Sequence, residues 1–288
     1  MKKRYIYTVI IIAGLLGGCA GSATSTTESS SVALEETNIE VQGKGGERDT
    51  IVSDAGTTEE DFEIEILQDG TVEIKRYIGE ETEVIIPETI DGKEVTVIGG
   101  FKNRDDLTSV IMPDTVKKIT TNAFLNCINL SYVKLSINIE EIEEYAFDGQ
   151  FTEIVLPETL KKIGDYAFSG VSLETITLPP EISSIGAGTF SQTSLETVTI
   201  PGNVRVIEEG AFSDCKQLKE VVIEDGVEVI EESAFEKCTA LEKVIIPVSV
   251  TDIDMYTFWR SEKVIIVVEP GSYAEEVAKE RGIPVLYT

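Results

Sequence analysis

Histidine is absent from this 288-residue chain. Its absence removes Ser-His-Asp and Cys-His nucleophile arrangements and the His-Glu-x-x-His zinc motif. No phosphate loop and no G-x-G-x-x-G run occurs. Positive charge is scarce: 24 Lys and Arg stand against 52 Asp and Glu, for a net charge of −28. Nucleic-acid affinity comes mainly from Lys and Arg neutralising phosphates, so that partner is excluded. Adsorption of a folded body this acidic onto anionic lipid is disfavoured for the same reason. The surplus of carboxylates keeps the chain soluble by self-repulsion and leaves cationic partners open. Cysteine is sparse, with no C-x-x-C pair: Cys19, Cys127, Cys215 and Cys238 are the full set.

What is plentiful is repetition. Phenylalanine recurs at 101, 124, 147, 168, 190, 212, 235 and 258, in steps of 21 to 23 residues. The clearest unit is Ile163-Gly164-Asp165-Tyr166-Ala167-Phe168, and Ile207 with Ala211-Phe212 and Ile230 with Ala234-Phe235 repeat its frame. A solenoid needs such a period, because each turn buries its apolar face only against its neighbours. Before each such unit stands a pattern L-x-x-V-x-I, as in Leu195, Val198 and Ile200, which reads as a short strand that Pro201 ends. Val204, Ile207, Ala211 and Phe212 then point inward. The fold class expected is a repeat solenoid, a β-rich right-handed stack with one short strand per repeat. Eight turns at about 4.8 Å give an axis of roughly 40 Å. One copy departs from the frame: Phe151 replaces the Leu, and a local loop shift is expected there.

The expected organisation is as follows. Residues 1–18 form a targeting segment, with Lys2, Lys3 and Arg4 before an apolar stretch from Ile6 to Leu16 too short for a membrane span. Residues 19–61 are a Ser/Thr/Glu-rich disordered tether with an r.m.s. reach of roughly 35 Å. Residues 62–83 are an N-terminal cap: Phe62, Ile64 and Ile66, a turn at Asp69-Gly70, then Val72 and Ile74 read as a β-hairpin. Residues 84–268 hold the repeats. Residues 269–288 are a second cap, a helix with Ser272 as N-cap and Glu275 completing a capping box, then a strand from Ile283 to Tyr287.

Two resemblances rest on these residues. Leu16-Gly17-Gly18-Cys19 after the basic and apolar regions resembles the lipobox of bacterial lipoproteins. It implies lipidation of Cys19 and anchoring to the membrane. Ala20 stands where an Asp would resemble an inner-membrane retention signal, which favours surface display. The repeats resemble the BspA-like class of leucine-rich repeats. Leu107, Pro113, Ile119, Phe124 and Cys127 carry the match, and the frame recurs at Leu173, Leu195, Leu218 and Leu241. That resemblance implies a non-catalytic surface protein that binds a protein or glycan partner, as in adhesion. The alternative is a structural or self-associating envelope component without a foreign ligand.

The expected partner-binding face is the outward side of the strand row, since residues alternate across a strand. It comprises Ser109, Ile111, Tyr132, Lys134, Glu153, Val155, Thr175, Thr177, Thr197, Thr199, Glu220, Val222, Lys243 and Ile245. Trp259 is a further candidate, read first as packing in the last repeat. Cys127, Cys215 and Cys238 each lie three residues after a repeat Phe and read as buried thiols. A Cys215–Cys238 disulfide is the alternative in an exported protein. Carboxylates cluster at Glu140, Glu141, Glu143 and Glu144, at Glu208 and Glu209, and at Glu231 and Glu232. They read as a solvated acidic ridge rather than a glycosidase pair or a calcium site, since no D-x-D-x-D-G loop is present. No cofactor, metal or catalytic residue is assigned.

Overall fold

The structure, a computed structural model, describes residues 57–288. The targeting segment, Cys19 and most of the tether lie outside the described residues. From Val72 onward the chain winds as a β-solenoid with two rows of strands. One row starts at Val72–Tyr77 and continues through Lys93–Ile98, Lys118–Ile119, Glu141–Ile142, Lys162–Ile163 and Ser184–Ile185 in parallel register. Val206–Ile207, Val229–Ile230 and Asp252–Ile253 form the rest of that row. These nine strands give one turn more than the repeat phenylalanines count.

The second row is formed by the L-x-x-V-x-I strands. Glu83–Ile85, Ser109–Ile111 and Tyr132–Lys134 make one parallel sheet. Thr197–Ile200, Glu220–Ile223, Lys243–Ile245, Ile265–Val268 and Val285–Tyr287 make another. Between them residues 153–156 and 175–178 run through without strand pairing, which corrects the expectation of a strand in every repeat. The turns explain the break. The connections from Phe147 to Phe151, Phe168 to Leu173 and Phe190 to Leu195 are shorter than that from Phe212 to Leu218. Each shortened connection coincides with a step at which a segment fails to pair with the one before it, and Thr197–Ile200 pairs only with the following Glu220–Ile223. Phe151 still fills the leucine position, buried and edge-on to Phe147 at 5.9 Å.

The eight phenylalanines form one stacked column, with ring centroids 4.9–5.8 Å apart. Tyr77 and Phe62 extend it at 5.3 Å each, so the hairpin joins the same core. In the turns of Phe124, Phe168, Phe190, Phe212 and Phe235 the residues two before and two after the repeat Phe use the left-handed backbone region. Asn122 (φ 60°) and Asn126 (φ 61°) flank Phe124, and Tyr166 (φ 54°) and Gly170 (φ 76°) flank Phe168. Asn and Gly suit such positions; Tyr is held there by packing. Tyr166 stacks on Tyr145 at 5.0 Å.

The hairpin Phe62–Ile66 and Val72–Tyr77 is antiparallel, with an irregularity at Glu63/Ile64. At the other end, helix Tyr273–Arg281 starts at Ser272, whose hydroxyl accepts from the Glu275 N–H at 3.3 Å. The reciprocal half of the expected capping box is displaced by one residue: the Glu275 carboxylate takes the Gly271 N–H at 2.6 Å instead. Its other oxygen accepts from Lys279 at 2.5 Å and from the Tyr287 hydroxyl at 2.7 Å. The Lys279 ammonium, the Tyr287 hydroxyl and the Gly271 N–H, in that order, hold this carboxyl down to about 2. A pKa depressed by folding contributes stability above the unfolded value of about 4.3, and that contribution is lost as pH falls toward 2. Amide protection across residues 273–281 is therefore expected to fall between about pH 4.5 and pH 2. In Glu275→Gln that step should be missing. The same acid profile in both proteins would show that Glu275 does not hold the helix down.

Candidate functional site

The alternation of the L-x-x-V-x-I strands is realised. Val110, Val133, Val198, Val221 and Val244 are buried, while their strand neighbours face out. None of the fourteen expected face residues is buried. Register decides which of them meet. Thr197, Glu220 and Lys243 share one column, and Thr199, Val222 and Ile245 share the next. Ser109 stands beside Tyr132, and Ile111 beside Lys134. Lys243 Nζ lies 2.8 Å from Glu220 Oε1, so these two charges satisfy each other. Glu153, Val155, Thr175 and Thr177 join neither sheet. They line the opened part of the row, where a cleft of about 340 Å³ lies between the two segments.

Sequence reasoning missed the ends of both columns. Ile85 pairs with Ile111 and is 62% exposed. Ile265, half-buried, and Val267, buried, continue the register beyond Lys243 and Ile245, and Leu286 lies beside Val267, 54% exposed. Val84-Ile85-Ile86-Pro87 carries the repeat frame and is a usable signal for Ile85. The stretch Val264 to Val268 has no polar residue to mark its outward side, so register alone reveals it. Trp259 is not packed into the last repeat: it is 53% exposed and edge-on to Tyr256 at 5.9 Å. The turn before it bends Tyr256 and Trp259 outward together, while Phe258 closes the phenylalanine column.

The carboxylate clusters behave in two ways. Glu141 sits between Lys118 at 3.0 Å and Lys162 at 3.1 Å, one turn to either side, and Lys118 also pairs with Glu143. Glu140 pairs with Lys161 at 3.2 Å. Burial acts to raise the Glu141 carboxyl, but the two lysines outweigh it and hold it below the usual range. That cluster is an ion-paired ladder rather than an unrelieved run of like charge. Such surface pairs contribute about 0–1 kcal/mol each. Glu208 differs, for its carboxyl is pushed up by burial first and by the neighbouring Glu231 charge second. Among the described residues no group of three or more Cys, Asp or Glu is arranged to hold a metal ion.

Cys127, Cys215 and Cys238 are buried free thiols, which corrects the disulfide alternative. Their Sγ atoms donate to the carbonyls of Phe101, Phe190 and Phe212 in the preceding turns, at 3.1, 3.0 and 3.1 Å. Each thiol is thus turned along the stack toward a backbone acceptor. Ser261 takes the same place in the last turn, donating to the Phe235 carbonyl at 2.7 Å. Burial pushes the Cys127 thiol up to about 12, so the nucleophilic thiolate is suppressed.

Residues 96–150 and 148–265 match the BspA type leucine rich repeat region, in six copies. The chain belongs to this family. Its structure is similar to that of a leucine rich repeat protein of T. pallidum (TpLRR), at 28% identity and a TM-score of 0.61. That match covers 65% of this chain and 91% of the other. A leucine-rich repeat protein from Bacteroides ovatus shares the fold at 23% identity and a TM-score of 0.53, with 72% and 70% of the two chains covered. No curated protein matches. Leucine-rich repeat proteins are generally non-catalytic binding or scaffold proteins, and they typically mediate protein interactions.

Proposed function

We propose that this leucine-rich repeat chain is a lipid-anchored protein of the bacterial cell surface that binds a partner protein along the outward side of its second strand row. The carrying observation is that exposed apolar side chains are spread along that row: Ile85, Tyr132, Val155 and Leu286 are 62%, 52%, 85% and 54% exposed. Large apolar side chains on one face of a chain of charge −28 are what a partner would cover. A protein fits this row better than a glycan, because Tyr132 is the one aromatic ring among the fourteen face residues. The anchor is Cys19, on the strength of Leu16-Gly17-Gly18-Cys19 following a basic and then an apolar stretch. Burying acyl methylenes at about 0.8 kcal/mol each would hold it in the bilayer.

The test is the double variant Val155→Asp with Val222→Asp. Partner capture should be abolished while the far-UV circular dichroism stays as in the wild type. Unchanged capture would remove the strand row from the account. One observation favours a second reading, an envelope component that associates with itself. The row ends on Val285–Tyr287, with Leu286 and Tyr287 both exposed, and a strand at a sheet edge is a template for another chain. Mass that rises with concentration in light scattering, without any foreign ligand, would select it.

A further inference from the structure

Tyr145 and Tyr166 hold the position two before the repeat Phe in successive turns. Their rings stack with centroids 5.0 Å apart and planes 9° from parallel. The backbone sets that spacing: the Tyr145 N–H donates to the Asp165 carbonyl at 2.9 Å, and the Tyr166 N–H to the Ala187 carbonyl at 2.8 Å. Gly188 stands at the same position in the next turn, and a Cβ built there would lie 2.2 Å from Tyr166 Cε1. The absence of a side chain at 188 leaves the Tyr166 ring room to lie along the stack. Both rings are exposed. Neither hydroxyl is hydrogen-bonded to a described residue, whereas Tyr77 donates to the Glu81 carbonyl and Tyr287 to the Glu275 carboxylate. Among the described residues no other two tyrosines are in ring contact.

We propose that Tyr145 and Tyr166 are an oxidative modification site, at which a peroxidase and hydrogen peroxide join the two rings as dityrosine. Each phenol gives up one electron and its hydroxyl proton. The peroxide takes up both electrons and both protons and becomes two waters. The two phenoxyl radicals pair their electrons in a bond between ring carbons ortho to the oxygens. The proton on each joined carbon then moves to its oxygen through water, which restores both phenols. Near-parallel rings at 5.0 Å make the coupling intramolecular, so the fold has already brought the two radicals together. The bond falls where the stack is least tied. The first-row strands Glu141–Ile142 and Lys162–Ile163, just before the two tyrosines, pair with each other, but the second-row segments 153–156 and 175–178 that follow them do not. A covalent link across this interface closes a loop of about 20 residues and restricts the unfolded chain, as a disulfide does. It needs no partner protein and stands apart from the strand-row reading.

The test is treatment of the full chain with a haem peroxidase and hydrogen peroxide, followed by tryptic mapping. Dityrosine fluorescence should appear in a species that stays monomeric on a denaturing gel. The product should join peptide 135–161, which carries Tyr145, to peptide 163–205, which carries Tyr166, with two hydrogens lost. Tyr166→Phe keeps a ring in the stack and should abolish that product, while Tyr132→Phe should leave its yield unchanged. Treatment in urea that unfolds the chain should remove the preference for this pair. The cross-linked chain should unfold at higher urea than the treated Tyr166→Phe chain. Dityrosine formed between chains or with other tyrosines would overturn the proposal, and so would an equal yield in Tyr166→Phe or no dityrosine at all. A cross-linked chain with an unshifted urea midpoint would overturn the stapling of the two turns. Capture of the natural partner, judged with the Val155→Asp, Val222→Asp variant, decides the strand-row reading separately.

Discussion

Phe190→Ala is expected to destabilise the solenoid by about 3–5 kcal/mol. The ring is fully buried, 5.7 Å from Phe168 and 5.4 Å from Phe212, and nearly parallel to both. Truncation removes a layer from the middle of a column, and the column has no means of closing over it. The Phe190 N–H is held by the Ala211 carbonyl at 2.8 Å, and its own carbonyl accepts from Cys215 Sγ at 3.0 Å. Those bonds fix the spacing of the turns on both sides, so the cavity persists and its full cost is felt. Stability in a repeat protein is a sum of turn and interface terms, so the loss should also uncouple the two halves of the stack. Urea unfolding followed by circular dichroism and by Trp259 fluorescence would then give separated transitions. A cost below about 1 kcal/mol would mean that the column does not carry the core.

Gly100→Ala should be the most damaging glycine substitution at the N-terminal end. Gly100 has φ +77°, and a Cβ built there would lie 2.0 Å from the Lys75 carbonyl oxygen and 2.5 Å from the Arg76 Cα. Both atoms belong to the backbone of the hairpin strand that pairs with Lys93–Ile98. The Gly100 carbonyl also accepts the Tyr77 N–H at 3.1 Å, so the strand cannot back away without breaking that bond. Gly70 is the matched control: its φ is +85°, and nothing lies within 4 Å of its built Cβ. Gly70→Ala should cost only the left-handed backbone penalty of about 1 kcal/mol. Gly100→Ala should cost about 3 kcal/mol or more, since a strained backbone and a clash with main-chain atoms add. Chemical denaturation of the two variants side by side gives the comparison. Equal costs would show that the hairpin strand does not approach Gly100 this closely in solution.

The stacking axis was legible because a periodic aromatic has one economical explanation, and the inward Ile, Ala and Phe positions follow from it. Tyr77 escaped because it continues the column as a tyrosine, 24 residues before Phe101, and Phe62 because it lies off the period, 15 residues before Tyr77. The broken strand row was legible only in part. Phe151 betrays a shortened turn, whereas Leu173-x-x-Ile176-x-Leu178 reads as a sound strand, and pairing depends on the preceding turn rather than on its own residues. The glutamates at 140–144 read as a solvated acidic ridge because their lysine partners sit a full turn away, at 118, 161 and 162. Such pairs become visible only once the turn length aligns Lys118, Glu141 and Lys162 across three strands. Outwardness of the face residues followed from alternation; which of them meet did not, because register across the opened stretch is lost.

The most direct test of the account is capture of partners by the full chain from matrix and serum proteins, run beside a sizing measurement in buffer alone. One saturable protein partner is expected, lost in the Val155→Asp, Val222→Asp variant, from a chain that does not assemble by itself. No partner, together with defined self-assembly in buffer, would contradict it and make the solenoid a structural unit of the envelope.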